Sequence, residues 1–160
     1  MMDRPIDPEL DLVLERVVPV PVKAVWAAWT IPHHVVKWFT PRPWTTVACD
    51  IDLRPGGLFR TVMRSPEGEE FDNVGCFLEV VEPRRLVFTD ALGADYRPRA
   101  EPFMTAEIIL TAEGTGTRYR AIARHCDIER RNKHEDMGFH DGWSKALDQL
   151  VEVALELAAG

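Results

Sequence analysis

Histidine is the side chain in this sequence best suited to chemistry near neutral pH, and several of the five histidines stand beside other reactive groups. His33 and His34 are adjacent, His125-Cys126-Asp127 brings three candidate metal ligands together, and His134 precedes Glu135. None of these groups has the HExxH pattern or the paired spacing of a zinc site. We therefore predict no metal and no cofactor.

His125 follows the inward face of the last predicted strand, on which Tyr119, Ala121 and Ala123 alternate with arginines. In that position its imidazole can hydrogen-bond a ligand or act as a general base. The alternative is a histidine of the core or rim with a backbone partner, which is the interpretation that we favour.

The acidic residues Glu79 and Asp72 lie on one predicted strand, near arginines such as Arg60. A buried carboxylate beside an arginine has a shifted pKa and can be functional, whereas an exposed pair is an ordinary cross-strand ion pair. The chain has no GxSxG nucleophile motif. Gly56-Gly57 lacks the Lys-Ser/Thr of a phosphate loop, so we interpret it as a turn that needs positive φ. These motifs favour a non-enzyme.

Length and charge limit the classes of function. The 160 residues fit one domain over 1–160, with a polar, flexible N-terminus at 1–8. Acidic residues outnumber basic ones by 26 to 19, giving a net charge of −7, which argues against nucleic-acid partners. There is no apolar run long enough for membrane insertion and no secretory leader. Three scattered cysteines without a CxxC pair predict free thiols in the cytoplasm.

Hydrophobic periodicity gives the order of the elements. A strand over 10–18 precedes two short helices, the first with Val22, Val25, Trp26 and Trp29 on one face and the second starting at Pro32. Period-two alternation then runs from about 44 to 127, interrupted by turns and by a longer loop over 92–102. Last comes a long helix, which Asn132 could cap and in which Gly138 marks a bend or a restart.

This order predicts an α+β fold in which a curved antiparallel sheet of six to seven strands wraps around the long C-terminal helix. The space between sheet and helix can hold a small ligand. Aromatic and methionine side chains on the facing stripes suit adaptable apolar binding, although each alone could be ordinary core. The candidate ligand-binding residues are Trp38, Phe59, Met63, Phe71, Met104, Tyr119, His125, Met137 and Trp143.

The chain resembles the START-like (SRPBCC) superfamily, which has the helix-grip fold of the birch-pollen-allergen type. Within it, the chain is most similar to the branch named after the activator of the ninety-kilodalton heat-shock chaperone's ATPase. The resemblance extends from about 10 to 157. It rests on Arg16 with Pro21, Val25, Trp26 and Trp29, on Asp52-Leu53-Arg54-Pro55-Gly56-Gly57 before Leu58-Phe59-Arg60, on Pro83-Arg84-Arg85-Leu86-Val87-Phe88-Thr89, and on the stretch from His134 to Trp143.

The resemblance implies binding of a small hydrophobic or amphipathic molecule between sheet and helix. One alternative is a cyclase or hydrolase type of enzyme, which would need two converging polar groups such as His125 with Tyr119 or Glu79. A second alternative is an interaction protein like the chaperone activator, although the family's chaperone-activating members carry an additional N-terminal domain for which 160 residues leave no room. A homodimer is compatible with each of these functions.

Overall fold

The computed structural model describes residues 4–160 and has the α+β helix-grip architecture that the sequence predicts. The strands are β1 (Asp11–Val18), β2 (Thr45–Ile51), β3 (Leu58–Arg64), β4 (Glu70–Val81), β5 (Arg85–Thr89), β6 (Leu92–Gly93), β7 (Arg97–Pro98), β8 (Thr105–Glu113) and β9 (Gly116–Arg124). The helices are α1 (Val22–Thr30), α2 (Pro32–Val35), α3 (Ile128–Asp136) and α4 (Phe139–Ala159). The two short helices after β1 are therefore confirmed.

Seven strands form one antiparallel sheet in the order β1-β9-β8-β5-β4-β3-β2. Register shifts in β2 and β4 mark bulges, which bend the strands and help the sheet to curve. The segment 92–102 is not wholly a loop as predicted, because β6 and β7 pair there as a separate two-stranded ribbon. A ribbon this short gives almost no alternation for a sequence to reveal.

The inner face of the sheet packs against α1 and α4. Phe77, Ile108 and Tyr119 of the sheet share one buried core cluster with Trp29 of α1 and Leu150 of α4. The apolar stripe predicted for the terminal helix is thus the side that the sheet covers. This packing fixes the position of α4 over the middle of the sheet.

The C-terminal helical segment is two helices rather than one. Gly138 is in the left-handed region with φ of 94°, so the helix stops and restarts there. The expected cap at Asn132 is wrong: α3 begins after Asp127, whose Oδ1 accepts a 2.8 Å hydrogen bond from the Arg130 amide. Asp127 thereby satisfies a free N–H group at the first turn of the helix. The helix α3 lies across the end of the sheet, beside α4.

The Pro55-Gly56-Gly57 turn has the positive φ expected of it, at Gly56 with 83°. A Cβ on Gly56 would overlap the ring of Tyr96, and one on Gly57 would overlap the carbonyl oxygen of Asp52. Both glycines are therefore required by close approach at this turn.

The outer face of the sheet buries an ionic group that we call the Glu107 cluster, consisting of Arg4, Asp11, Glu79, Arg85, Glu107 and Arg124. Glu107 is 2% exposed and accepts hydrogen bonds from Arg85, from Arg4 at 2.9 Å and from Arg124 at 3.0 Å. Arg4 also contacts Glu79 at 2.6 Å. The N-terminus predicted to be flexible, 1–8, includes residues 1–3, which lie outside the described residues.

Within residues 4–160, none of the helices combines the length and the apolar character needed to span a bilayer.

Candidate functional site

A cavity of about 510 Å³ lies between the inner face of the sheet and α4. Side chains of β3, β5 and β9 form its floor, and α4 lies across it. The end of α1 and the segment that follows α2 supply a further wall through Trp29 and Trp38. The cavity therefore lies where the apolar face of the sheet meets the apolar side of α4, and the side chains of these two faces do not fill the space between them.

Most of the predicted ligand-binding side chains line this cavity. Trp38, Phe59 and Tyr119 are buried in its wall, whereas Met137 is 66% exposed at its rim. The predicted residues that line it are Trp38, Phe59, Met63, Met104, Tyr119, Met137 and Trp143.

Two predicted residues do not line the cavity. Phe71 pairs with Met63 across the sheet and so shares its face, but it is 42% exposed at the end of β4 and packs on Trp44 with ring centroids 5.7 Å apart. Alternation identified its face correctly but could not show that the cavity stops short of it. His125 is buried beside the cavity, behind His134.

Tyr119 is the buried polar group at the aromatic end of the cavity. Its oxygen accepts a 3.0 Å hydrogen bond from Nε1 of Trp29, and the hydroxyl proton has no acceptor among residues 4–160. Burial raises the pKa of Tyr119, so the phenol keeps its proton. Trp29 itself packs edge-on to Trp38, with centroids 4.8 Å apart, which fixes the donor that holds Tyr119.

At the other end, His125 and His134 form a hydrogen-bonded pair. Nδ1 of His125 lies 2.7 Å from the carbonyl oxygen of Leu10, and its Nε2 lies 2.9 Å from Nδ1 of His134. The backbone partner expected for His125 is therefore present. Burial, with a smaller contribution from His125, lowers the pKa of His134 to about 4, which keeps that ring neutral at physiological pH.

Aromatic rings surround His134 and hold its orientation. The centroid of Phe103 is 4.8 Å away, that of Phe139 is 5.2 Å away and that of Trp143 is 5.8 Å away. Sequence reasoning missed this residue as part of the site. The available signal was the inward position of His125 together with a histidine nine positions later, on a helix that had to cross the same end of the sheet.

The pairs that the enzyme alternative requires are not brought together. Glu79 lies on the outer face with Arg4. Tyr119 and His125 are six positions apart on and just beyond β9, which separates their backbones by about 20 Å at the usual strand rise. Asp72 forms an exposed ion pair with Arg60 at 3.0 Å, as the simpler interpretation predicted. Within residues 4–160, no three His, Cys, Asp or Glu side chains converge as a metal site would need.

Comparison with known proteins identifies the family. The family model described as "Activator of Hsp90 ATPase homolog 1-like protein" matches residues 19–154. The chain belongs to this family. The crystal structure of protein NE0264 from Nitrosomonas europaea is 49% identical with a TM-score of 0.94, over 97% of this chain and 100% of that one. No curated protein sequence matches significantly.

More distant solved structures also superpose along most of their length. Protein Ms6760 from Mycobacterium smegmatis is 28% identical with a TM-score of 0.74, over 91% of this chain and 90% of that one. A solution structure from Aeromonas hydrophila, described as AHSA1-like, is 22% identical with a TM-score of 0.67, over 92% of this chain and 94% of that one. The suspected classification is thus confirmed.

Proposed function

We propose that this protein binds one small hydrophobic or amphipathic molecule in the cavity between the sheet and α4. The observation that carries the proposal is the cavity itself, whose volume of about 510 Å³ falls in the range of small-molecule sites. Family membership supports the proposal, because the START-like fold that this chain resembles is associated with ligand binding.

The character of the walls supports an apolar ligand. Aromatic rings such as Phe59 and Phe88, 4.8 Å apart and edge-on, offer large, rigid contact surfaces. Met63 and Met104 add flexible, polarizable side chains that can adapt to different shapes. The buried wall groups Thr61 and Tyr119 are polar but uncharged, so the interior favours molecules without a net charge.

The rim differs from the interior in charge. Asp90, Arg99 and Glu101 lie around the cavity on its open side, where Arg99 is anchored by a 2.5 Å hydrogen bond to the carbonyl oxygen of Val74. A polar part of an amphipathic ligand can remain in water at this rim while the apolar part is buried. The arrangement therefore suits a molecule that enters by its apolar end.

Gly142 provides a direct test. It lies on α4 in the cavity lining, and a Cβ there meets only Cγ of Pro41 at 4.0 Å. Gly142→Leu is expected to fill part of the cavity without distorting the helix, while Gly142→Ala is the matched control with nearly the same backbone effect. Fluorescence titration with uncharged N-phenyl-1-naphthylamine should give saturable 1:1 binding to wild type and to Gly142→Ala.

Gly142→Leu should bind the same probe at least tenfold more weakly while remaining folded by circular dichroism. Equal binding by the leucine and alanine variants would place the probe outside the cavity and contradict the proposal. Absence of saturable binding to wild type, for this probe and for a panel of fatty acids, aromatic acids and polyketide-like compounds, would also contradict it.

The cellular setting is part of the same proposal. Cys49, Cys76 and Cys126 are all unpaired, which supports a reducing compartment such as the cytoplasm. Fractionation of the native host and sedimentation equilibrium would test the location and the homodimer respectively.

A further inference from the structure

Two polar side chains of the cavity wall each leave one hydrogen-bonding atom without a partner among residues 4–160. One is the hydroxyl proton of Tyr119, whose oxygen is used as an acceptor by Trp29. The other is Nε2 of His134, which makes no hydrogen bond to any of residues 4–160. Nε2 is also not sealed off by protein atoms, and His134 lines the cavity. A ligand that hydrogen-bonds either atom therefore binds more tightly than a ligand of the same shape that leaves the atom unpaired.

The hydrogen-bond chain at His134 determines what its Nε2 can do. The carbonyl oxygen of Leu10 can only accept, so Nδ1 of His125 carries the proton of that 2.7 Å bond. In the neutral ring, Nε2 of His125 is then an acceptor, and Nδ1 of His134 must donate to it. Nε2 of His134 is left with a lone pair and no hydrogen.

Within residues 4–160, the surroundings of His125 are aromatic and include no hydrogen-bonded carboxylate. Phe103 and His134 pack on its ring, with centroids 5.9 and 5.2 Å away, and no carboxylate among residues 4–160 hydrogen-bonds either imidazole. With both imidazoles neutral, Nδ1 of His134 donates and its Nε2 keeps the lone pair. The free atom of His134 is therefore an acceptor.

Tyr119 presents the opposite polarity. Because Trp29 Nε1–H can only donate, it occupies a lone pair of the Tyr119 oxygen and leaves the phenol O–H to donate to something else. Tyr119 is 3% exposed and protonated, so this donor is both buried and permanent. The other buried hydroxyls of the wall, those of Thr40, Thr61 and Thr89, can each donate or accept and do not discriminate.

These two atoms lie toward opposite ends of the cavity. Tyr119 belongs to β9, and His134 contacts the residue six positions further along that chain, about 20 Å away by strand rise. The cavity is thus an apolar space with a hydrogen-bond donor toward the α1 end and an acceptor toward the α3 end.

We propose that the cavity selects an uncharged, largely apolar molecule carrying a carbonyl or ether-type acceptor for Tyr119 and a hydroxyl or N–H donor for His134. This inference rests on the proposed function, and it adds the polarity and the orientation of the ligand. Hydroxylated aromatic ketones are one class of compound that combines the two features.

The first test needs no ligand. Long-range ¹H–¹⁵N spectra of the imidazoles at pH 7 should show both His125 and His134 as the neutral tautomer protonated at Nδ1. His134 protonated at Nε2 would overturn the proposal, because that atom would then be a donor. His125→Phe removes the acceptor that fixes His134, and its spectrum should show His134 shifted toward the Nε2–H tautomer.

The second test measures each end of the cavity separately with matched pairs of naphthalenes. Wild type should bind 2-naphthol roughly three- to tenfold more tightly than 2-methoxynaphthalene, the usual worth of one hydrogen bond. It should likewise prefer 2-acetylnaphthalene over 2-isopropenylnaphthalene, which has the same shape but no carbonyl oxygen. Affinities are measured by calorimetry or by displacement of N-phenyl-1-naphthylamine.

Each variant should abolish one preference and keep the other. His134→Phe is expected to reduce the preference for 2-naphthol to about that of the methyl ether while the acetyl preference remains, and Tyr119→Phe should do the reverse. A variant that weakened all four probes equally would show a merely structural role and overturn the assignment of that end.

The outcomes separate this inference from the proposed function. If all four compounds bind wild type without either preference, the polarity is wrong and the cavity still binds apolar molecules. If none binds and N-phenyl-1-naphthylamine also fails, both proposals are overturned.

Discussion

The inner and the outer face of the sheet both bury polar side chains, but they treat them differently. On the outer face, Glu107 is 2% exposed and receives hydrogen bonds from Arg4, Arg85 and Arg124. On the inner side, Tyr119 of the sheet is 3% exposed and His134 of α3 is 7% exposed, and within residues 4–160 each has one side-chain hydrogen-bond partner. Polar side chains that are buried to the same extent therefore have more hydrogen-bond partners on the outer face than on the inner face.

The difference indicates that the buried polar groups of the outer face stabilise the fold, whereas those of the inner face are available to a ligand. A buried carboxylate with several charged donors has all of its hydrogen-bonding positions filled. Removing one member of such a group leaves the charges of the others buried without compensation, which destabilises the protein. A buried neutral group with one free donor or acceptor is tolerated because the charge penalty is absent and a molecule in the cavity can complete it. The predictions below change one face at a time.

The largest effect is expected on the outer face. Glu107→Ala removes the carboxylate shared by three arginines and should lower the free energy of unfolding by about 3–5 kcal/mol, as for other buried ion pairs that lose one partner. The matched control is Glu70→Ala, whose pair with Arg64 is half exposed on both sides and should be worth less than about 1 kcal/mol. Urea unfolding measures both, and equal losses would show that the Glu107 cluster is no more than a surface network.

The second effect belongs to the inner face and depends on pH. Burial lowers the pKa of His134 to about 4 in the folded protein, against about 6.5 for an imidazole in water. Because the unfolded chain binds the proton first, stability is fully present above about pH 6.5 and is lost as the pH falls toward 4. The difference between the two pKa values corresponds to at most about 3 kcal/mol.

His134→Phe should therefore flatten the decline of unfolding free energy between pH 6.5 and 4, while His140→Phe, at a mostly exposed ring, keeps it. The hydrogen bond from His140 lowers the pKa of Glu135, so the His140 control also changes the titration of that one carboxyl. The other carboxylates are common to all three proteins and cancel in the comparison. An unchanged decline in the His134 variant would mean that its ring is already charged in the native state.

The third prediction compares the only two tyrosines of the sequence. Tyr119→Phe removes the acceptor of the Trp29 indole N–H, which is buried with its residue 4% exposed, and should cost about 1–2 kcal/mol. Tyr96→Phe, at a ring that is 51% exposed, should change stability by less than about 0.5 kcal/mol. Thermal unfolding of both variants checks this, and a neutral Tyr119→Phe would mean that water replaces the lost oxygen.

The fold could be predicted from the sequence because its main signals are local and periodic. Alternation placed Phe59 and Met63 inward and Arg60 outward, and the i, i+3, i+4 stripe identified the covered side of α4. The helix start at Asp127 was missed because Asn132 with Glu135 imitates a capping box further along the chain. A local signal can be satisfied at two places, and tertiary packing decides between them.

The site was only partly predictable for a different reason. Periodicity shows which face a residue occupies but not how far a cavity extends, so Phe71 was included and Phe103 was not. The pairing of His125 with His134 and the burial of Glu107 on the outer face both depend on contacts between residues that are distant in sequence. Neither contact produces a pattern of fixed spacing in the sequence.

The smallest expected effect concerns two glycines of the cavity wall. Gly142 has room for a side chain, so Gly142→Ala should raise the free energy of unfolding by about 0.5–1 kcal/mol through helix propensity alone. At Gly75 a Cβ would lie 2.7 Å from the carbonyl oxygen of Thr89 on the neighbouring strand, so Gly75→Ala must displace backbone and should destabilise the protein. Opposite signs in chemical denaturation would show that the wall is tight at the sheet and open at the helix. If both substitutions changed the free energy of unfolding in the same direction, the strands at Gly75 would separate as easily as α4 accepts a methyl group. Neither the sheet nor the helix would then fix the volume of the cavity.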